Sequence, residues 1–81
     1  FEINEAQAVV PLHSIEVLGL DPSKVNIWGG AIANGHPVGA SCLKILGNLI
    51  YALKEVGGRY GIAVVCNAGG EAMACFVKNA N

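Results

Sequence analysis

Nothing in this chain marks a metal site or a disulfide framework. Its three cysteines, Cys42, Cys66 and Cys75, are odd in number, form no CxxC pair and stand at no metal-ligand spacing from His13 and His36. They read as free thiols of a reducing compartment. Charge is scarce as well: 14% of residues are charged, the net charge is −1, and the five basic residues are scattered rather than striped. That excludes the electrostatic footprint of a nucleic-acid or anionic-membrane binder. The longest apolar-rich stretch, Ala40 to Val56, is broken by Lys44, Asn48, Lys54 and Glu55, so it is too polar to span a bilayer. No secretory signal opens the sequence and Lys78-Asn79-Ala80-Asn81 is no peroxisomal address, so the expectation is a soluble cytoplasmic protein. The glycine-rich "GHPVGAS" has neither the lysine nor the spacing of a phosphate loop, and GxGxxG is absent, which sets nucleotide hydrolysis aside.

Apolar residues are what the chain has in excess. They make up 53% of 81 residues, at most one domain, and a chain so short has more apolar surface than one small core can hide. Part of it should face another layer or subunit. There is no initiating methionine, and Phe1-Glu2-Ile3 begins mid-pattern like an internal strand, so the expectation is a piece of a larger protein.

The pattern predicts a strand over Phe1–Ile3 and then an amphipathic helix, with Asn4 as N-cap or a later start near Val10, because an interior Pro11 would kink it. Gly19 and Asp21-Pro22 end this element. Val25 to Trp28 predicts a short strand closed by Gly29-Gly30. From Ala40 to Val56 the period becomes helical, with Cys42, Leu46, Leu49, Leu53 and Val56 on one face and Lys44, Asn48, Tyr51 and Glu55 opposite. Gly57-Gly58 stops it. "RYGIAVVC" reads as a strand buried on both faces, paired as a hairpin with "EAMACFVK". The expected order is strand, helix, strand, helix, strand, strand: an α/β arrangement with helices covering a mixed sheet.

Three places could carry chemistry. His36 stands between Gly35 and Pro37, so its backbone is held extended and its ring is aimed. Ahead of a helix N-terminus, a neutral imidazole can donate to an oxyanion or take a proton from a thiol. His13 has no such setting and reads as a helix-surface histidine. Cys66 closes an apolar strand and opens a glycine-rich turn, where a thiol can exchange protons with a substrate. Cys42 and Cys75 read instead as small buried hydrophobes. Taken alone, Gly69-Gly70 is hairpin chemistry and Asn4-Glu5 is N-cap chemistry.

In order, "NEAQA", "GGAIANGHPVGAS" and "CNAGGEAMA" resemble the three C-terminal signature blocks of the thiolase family, commonly NEAFA, GGAIALGHPxGASG and CxGGG. The resemblance covers essentially the whole chain, residues 1–81, as the C-terminal part of a thiolase-like C-terminal domain. It implies an acyltransferase that condenses two acetyl-CoA to acetoacetyl-CoA, or cleaves a 3-ketoacyl-CoA with CoA, through an acyl-cysteine. No cofactor is implied beyond the CoA thioester substrates. By the resemblance His36 activates the nucleophilic cysteine and donates to the thioester oxyanion, Asn4 holds a water in the same oxyanion hole, Cys66 is the second, acid/base cysteine, and the Ala68 N–H serves the second oxyanion hole. Cys66 argues against the related ketoacyl synthases, which use two histidines or His/Asn at that place.

Five positions depart from the family pattern: Gln7, Trp28, Asn34, Cys42 and Ala68. Alanine at 68 would be strained by roughly 1 kcal/mol if its φ were positive. By the resemblance the nucleophilic cysteine and the CoA-binding loop domain belong to the preceding half, so this chain alone is expected to be inactive. The parent is expected to be a homodimer or homotetramer. The alternative is a non-catalytic segment that completes a sheet or dimerises.

Overall fold

The computed structural model describes residues 1–80. A three-stranded mixed sheet is built from β1 (Glu2–Ile3), β2 (Tyr60–Cys66) and β3 (Ala72–Lys78), in the spatial order β1-β2-β3. β1 runs parallel to β2 with Ile3 opposite Val64, and β2 runs antiparallel to β3 from Tyr60↔Lys78 to Cys66↔Ala72. The helices are α1 (Val9–Leu18), the four-residue α2 (Ala31–Asn34) and α3 (Ser41–Val56).

The expected hairpin is present, and α3 packs on its sheet. Leu49 and Leu53 of α3 are buried against Ala63 of β2, with Ile45, Leu46 and Val77 around them. Burying each leucine contributes on the order of 1.5–3 kcal/mol. Gly61 makes the approach possible: a Cβ there would lie 2.7 Å from Leu49 Cδ1 and 2.9 Å from Leu53 Cδ1. Gly57, in the left-handed region at φ 68°, ends α3 and donates its N–H to the Leu53 carbonyl.

Local details differ from the sequence expectations. α1 begins at Val9 with Ala8 as N-cap, which is the later start expected near Val10 and not the one capped by Asn4. Pro11 is therefore the third helical residue, inside the first turn, where a missing N–H costs no helical bond. The strand expected over Val25–Trp28 is replaced by a chain segment lying beside β1. Asn26 interrupts the extended path at φ 48°, a conformation that asparagine tolerates better than other residues. Its side chain then takes over strand pairing: Ile3 N–H donates to Asn26 Oδ1 (2.8 Å), and Asn26 Nδ2 donates to the Ile3 carbonyl (2.9 Å). The Asn26 N–H also donates to the Phe1 carbonyl at 2.8 Å. After α1, Asp21 accepts from the Ser23 N–H (2.9 Å) and Oγ (2.7 Å), which starts a single 3₁₀ turn at Pro22–Lys24.

Burial is more one-sided than expected. Cys42 and Val56 of α3 are exposed while Lys44 and Asn48 are half-buried, and all three cysteines are exposed. Cys42 and Cys75 are thus not buried within this chain. β2 buries Gly61 and Ala63 on the α3 side and leaves Ile62 and Val64 half-buried. β3 is exposed along nearly its whole length, with Met73 70% and Phe76 64% accessible. Together with Leu12 and Leu18 of α1, these are the surplus apolar residues that composition places against another layer.

Candidate active site

β1 and β2 are parallel, so their C-terminal ends open on the same side of the sheet, the side where ligands bind in open α/β sheets. Asn4 follows β1 there. Its N–H continues the ladder to the Val64 carbonyl (2.9 Å), and the residue is 2% exposed. From this fixed point Asn4 Nδ2 reaches His36 Nε2 in a long contact of 3.5 Å.

On the other side of the ring, His36 Nδ1 lies 2.5 Å from Ser41 Oγ, and Ser41 Oγ donates to the Pro37 carbonyl at 3.1 Å. A serine hydroxyl has one hydrogen. With that hydrogen on the Pro37 carbonyl, Oγ accepts from Nδ1–H, and Nε2 carries the lone pair that accepts from the Asn4 amide. With the Asn4 amide placed so that Nδ2 faces the ring, the donors match this tautomer. His36 itself is exposed in this chain, while its Nε2 is held by a buried amide.

The loop that carries His36 is tied down at both ends. Glu5 Oε1 accepts from the Ile32 N–H (3.1 Å), and Glu5 Oε2 accepts from Asn26 Nδ2 (3.1 Å). At the far end, Lys44 Nζ donates to Asn34 Oδ1 (2.7 Å), the Gly35 carbonyl (2.9 Å) and the Asn34 carbonyl (3.2 Å). The departure at Asn34 thus has a partner in the lysine of α3.

The sequence reading singled out His36 and Asn4, and the structure brings them together. Cys66 lies at the same end of the sheet, two residues beyond Val64, and is exposed; among the described residues no hydrogen bond joins it to Asn4 or His36. Ala68 sits in the exposed turn after Cys66, where Asn67 Oδ1 accepts from the Gly69 N–H (3.0 Å) and the Asn67 N–H donates to the Glu71 carbonyl (2.9 Å). The left-handed position in this turn is Gly70, φ 77°, not Ala68. The strain allowed for at Ala68 therefore does not arise. Ser41, Glu5 and Lys44 were not assigned roles from sequence; the only signal for Ser41 was its place five residues after His36, at the end of "GHPVGAS".

Electrostatically, the site backs onto Glu2, a 5% exposed carboxyl. Burial pushes it up to about 7, while the Phe1 ammonium and a hydrogen bond to Asn48 pull it back and Glu5 adds to the rise. Among the described residues no three His, Cys, Asp or Glu side chains gather as a metal site, and no helix is long and apolar enough to cross a membrane.

The family model for the thiolase C-terminal domain matches residues 1–79. The chain belongs to the thiolase family. This thiolase domain is 46% identical over 78 residues to acetyl-CoA acetyltransferase of Saccharomyces cerevisiae, covering 96% of this chain and 20% of that protein. It is 49% identical to the mitochondrial acetyl-CoA acetyltransferase of Homo sapiens (96% and 18% covered) and 51% identical to acetyl-CoA acetyltransferase of Yarrowia lipolytica (96% and 19%). The chain therefore spans about a fifth of the length of the curated relatives it matches. A mixed sheet covered by helices is the architecture of this domain.

Proposed function

We propose that the protein containing this chain is a CoA-dependent acyltransferase that condenses two acetyl-CoA to acetoacetyl-CoA or cleaves a 3-ketoacyl-CoA with CoA. The chain supplies oxyanion-hole donors and acid/base groups to a nucleophilic cysteine that lies outside it. What carries the reading is the Asn4–His36 pair: a buried amide and a restrained imidazole facing one point, on two of the three thiolase motifs.

In this reading His36 Nε2, free of a proton in the resting tautomer, takes the proton of the nucleophilic thiol. The thiolate adds to the acyl carbonyl, and the imidazolium formed, beside Asn4, donates to the oxygen that becomes negative. Cleavage of the carbon–carbon bond leaves an acetyl-CoA enolate, which takes its proton from Cys66 with the Ala68 N–H facing its oxygen. CoA thiol gives its proton to the Cys66 thiolate, its sulfur takes the acyl group, and the enzyme cysteine leaves as a thiolate that regains its proton from the His36 imidazolium. Condensation is the reverse.

The test is thiolysis of acetoacetyl-CoA by the full-length protein. His36→Ala should lower kcat by about 10²–10³, the loss typical of one oxyanion donor, and the isolated chain should show no turnover. Normal thiolysis by His36→Ala would refute the assignment. On the same reading the parent is a cytoplasmic homodimer or homotetramer, which light scattering and cell fractionation check.

A further inference from the structure

We infer that Glu5 is a positioning residue for His36: it grips the loop that carries the ring, while its neighbour Asn4 touches the ring itself. The inference rests on the thiolase reading above.

α2 has four residues, 31–34, too few to hold a helical conformation without outside support. The stretch from Ile32 to Ala40 is exposed, so apolar packing does not fix it either. Two charged side chains tie the ends of α2. Glu5 gives one carboxylate oxygen to the Ile32 N–H, at the start of α2, and the other to the Asn26 amide, which is itself bound to Ile3. Lys44 gives its ammonium to Asn34 and Gly35, at the end of α2. The signs suit the two ends of the turn.

The two ties come from the same elements as the two contacts of the ring. Asn4 and Glu5 are consecutive after β1, and Ser41 and Lys44 lie one turn apart on α3. A shift of the loop relative to β1 would thus move Nε2 off Asn4. Gly30 fits the same purpose, because a Cβ there would fall on the Glu5 carboxyl group, with Oε2 at 2.8 Å. Only glycine lets the carboxylate reach past to the Ile32 N–H.

The test uses the full-length enzyme with acetoacetyl-CoA and CoA, scaled to active sites by the acyl-enzyme burst. Glu5→Gln keeps the size but leaves one acceptor where two are used. It should lower kcat per active site about 10–100-fold, the effect of misplacement by about 1 Å, and move the limb of the pH–kcat profile that reports the histidine. KM for CoA should stay within about twofold, since uniform binding is untouched. Gly30→Ala, which displaces the carboxylate without changing charge, should reproduce both effects, and the double variant should be no worse than either single one, because neighbours acting by one route are not additive. If Glu5→Gln does not fold, Gly30→Ala and Lys44→Met carry the test by the same readouts. Wild-type kcat and pH profile in these variants would overturn the inference while leaving the thiolase reading intact. A wild-type enzyme without thiolysis would overturn both.

Discussion

Replacing Ser41 by alanine isolates the hydroxyl that selects the histidine tautomer. The residue is 2% exposed, and its oxygen stands between His36 Nδ1 at 2.5 Å and the Pro37 carbonyl at 3.1 Å. Removing it takes away the acceptor for Nδ1–H, so the ring is free to rotate or to carry its proton on Nε2, where it would face the Asn4 amide donor-to-donor. A hydrogen bond of this kind is worth about 0.5–1.5 kcal/mol net. If the whole of that is spent on holding the reactive tautomer, the expected loss in kcat/KM is about 2–13-fold, at 1.36 kcal/mol per tenfold. The loss must stay below that of His36→Ala, which removes the ring altogether. The assay is kcat/KM for acetoacetyl-CoA thiolysis by the full-length enzyme across pH, with Ser41→Thr alongside to restore the hydroxyl. Wild-type rates for Ser41→Ala, or equal losses for alanine and threonine, would refute the tautomer argument.

Two further predictions concern stability. Gly61→Ala places a methyl against Leu49 and Leu53, closer than real contacts allow, and should cost about 1–3 kcal/mol; an unchanged melting temperature would show that α3 can move aside freely. Glu2 holds its proton more tightly in the folded chain, with its carboxyl raised to about 7 from 4.5. Its contribution is therefore complete below about pH 4.5, shrinks as pH rises through 7 and is gone above, a swing of at most about 3 kcal/mol. Glu2→Gln should remove that swing, so denaturant titrations at pH 5 and pH 8 that differ equally for both proteins would exclude a role for Glu2.

What could be read from the sequence was what local chemistry decides. α3, its glycine stop and the β2–β3 hairpin follow from periodicity and turn residues within a few positions of each other. Asn4 and His36 were found because their motifs are distinctive, although only the fold brings them within 3.5 Å. Val25–Trp28 has the composition of a strand, and nothing local reveals that the Asn26 side chain does the pairing. Cys42 and Cys75 were expected to be buried because small thiols on apolar elements usually are; here the faces that carry them are uncovered. Glu5 and Lys44 read as ordinary polar positions, since their partners lie 27 and 10 residues away along the chain and meet them only through the loop's path.

Asn26 is a single fastening shared by β1 and the anchor of the histidine loop. Its amide nitrogen serves the Ile3 carbonyl and the Glu5 carboxylate together. Hydrolysis to aspartate would turn that donor into a charged acceptor facing two others. An aspartate there, ten residues before the histidine, would set its charge against the Ile3 carbonyl and the Glu5 carboxylate at once.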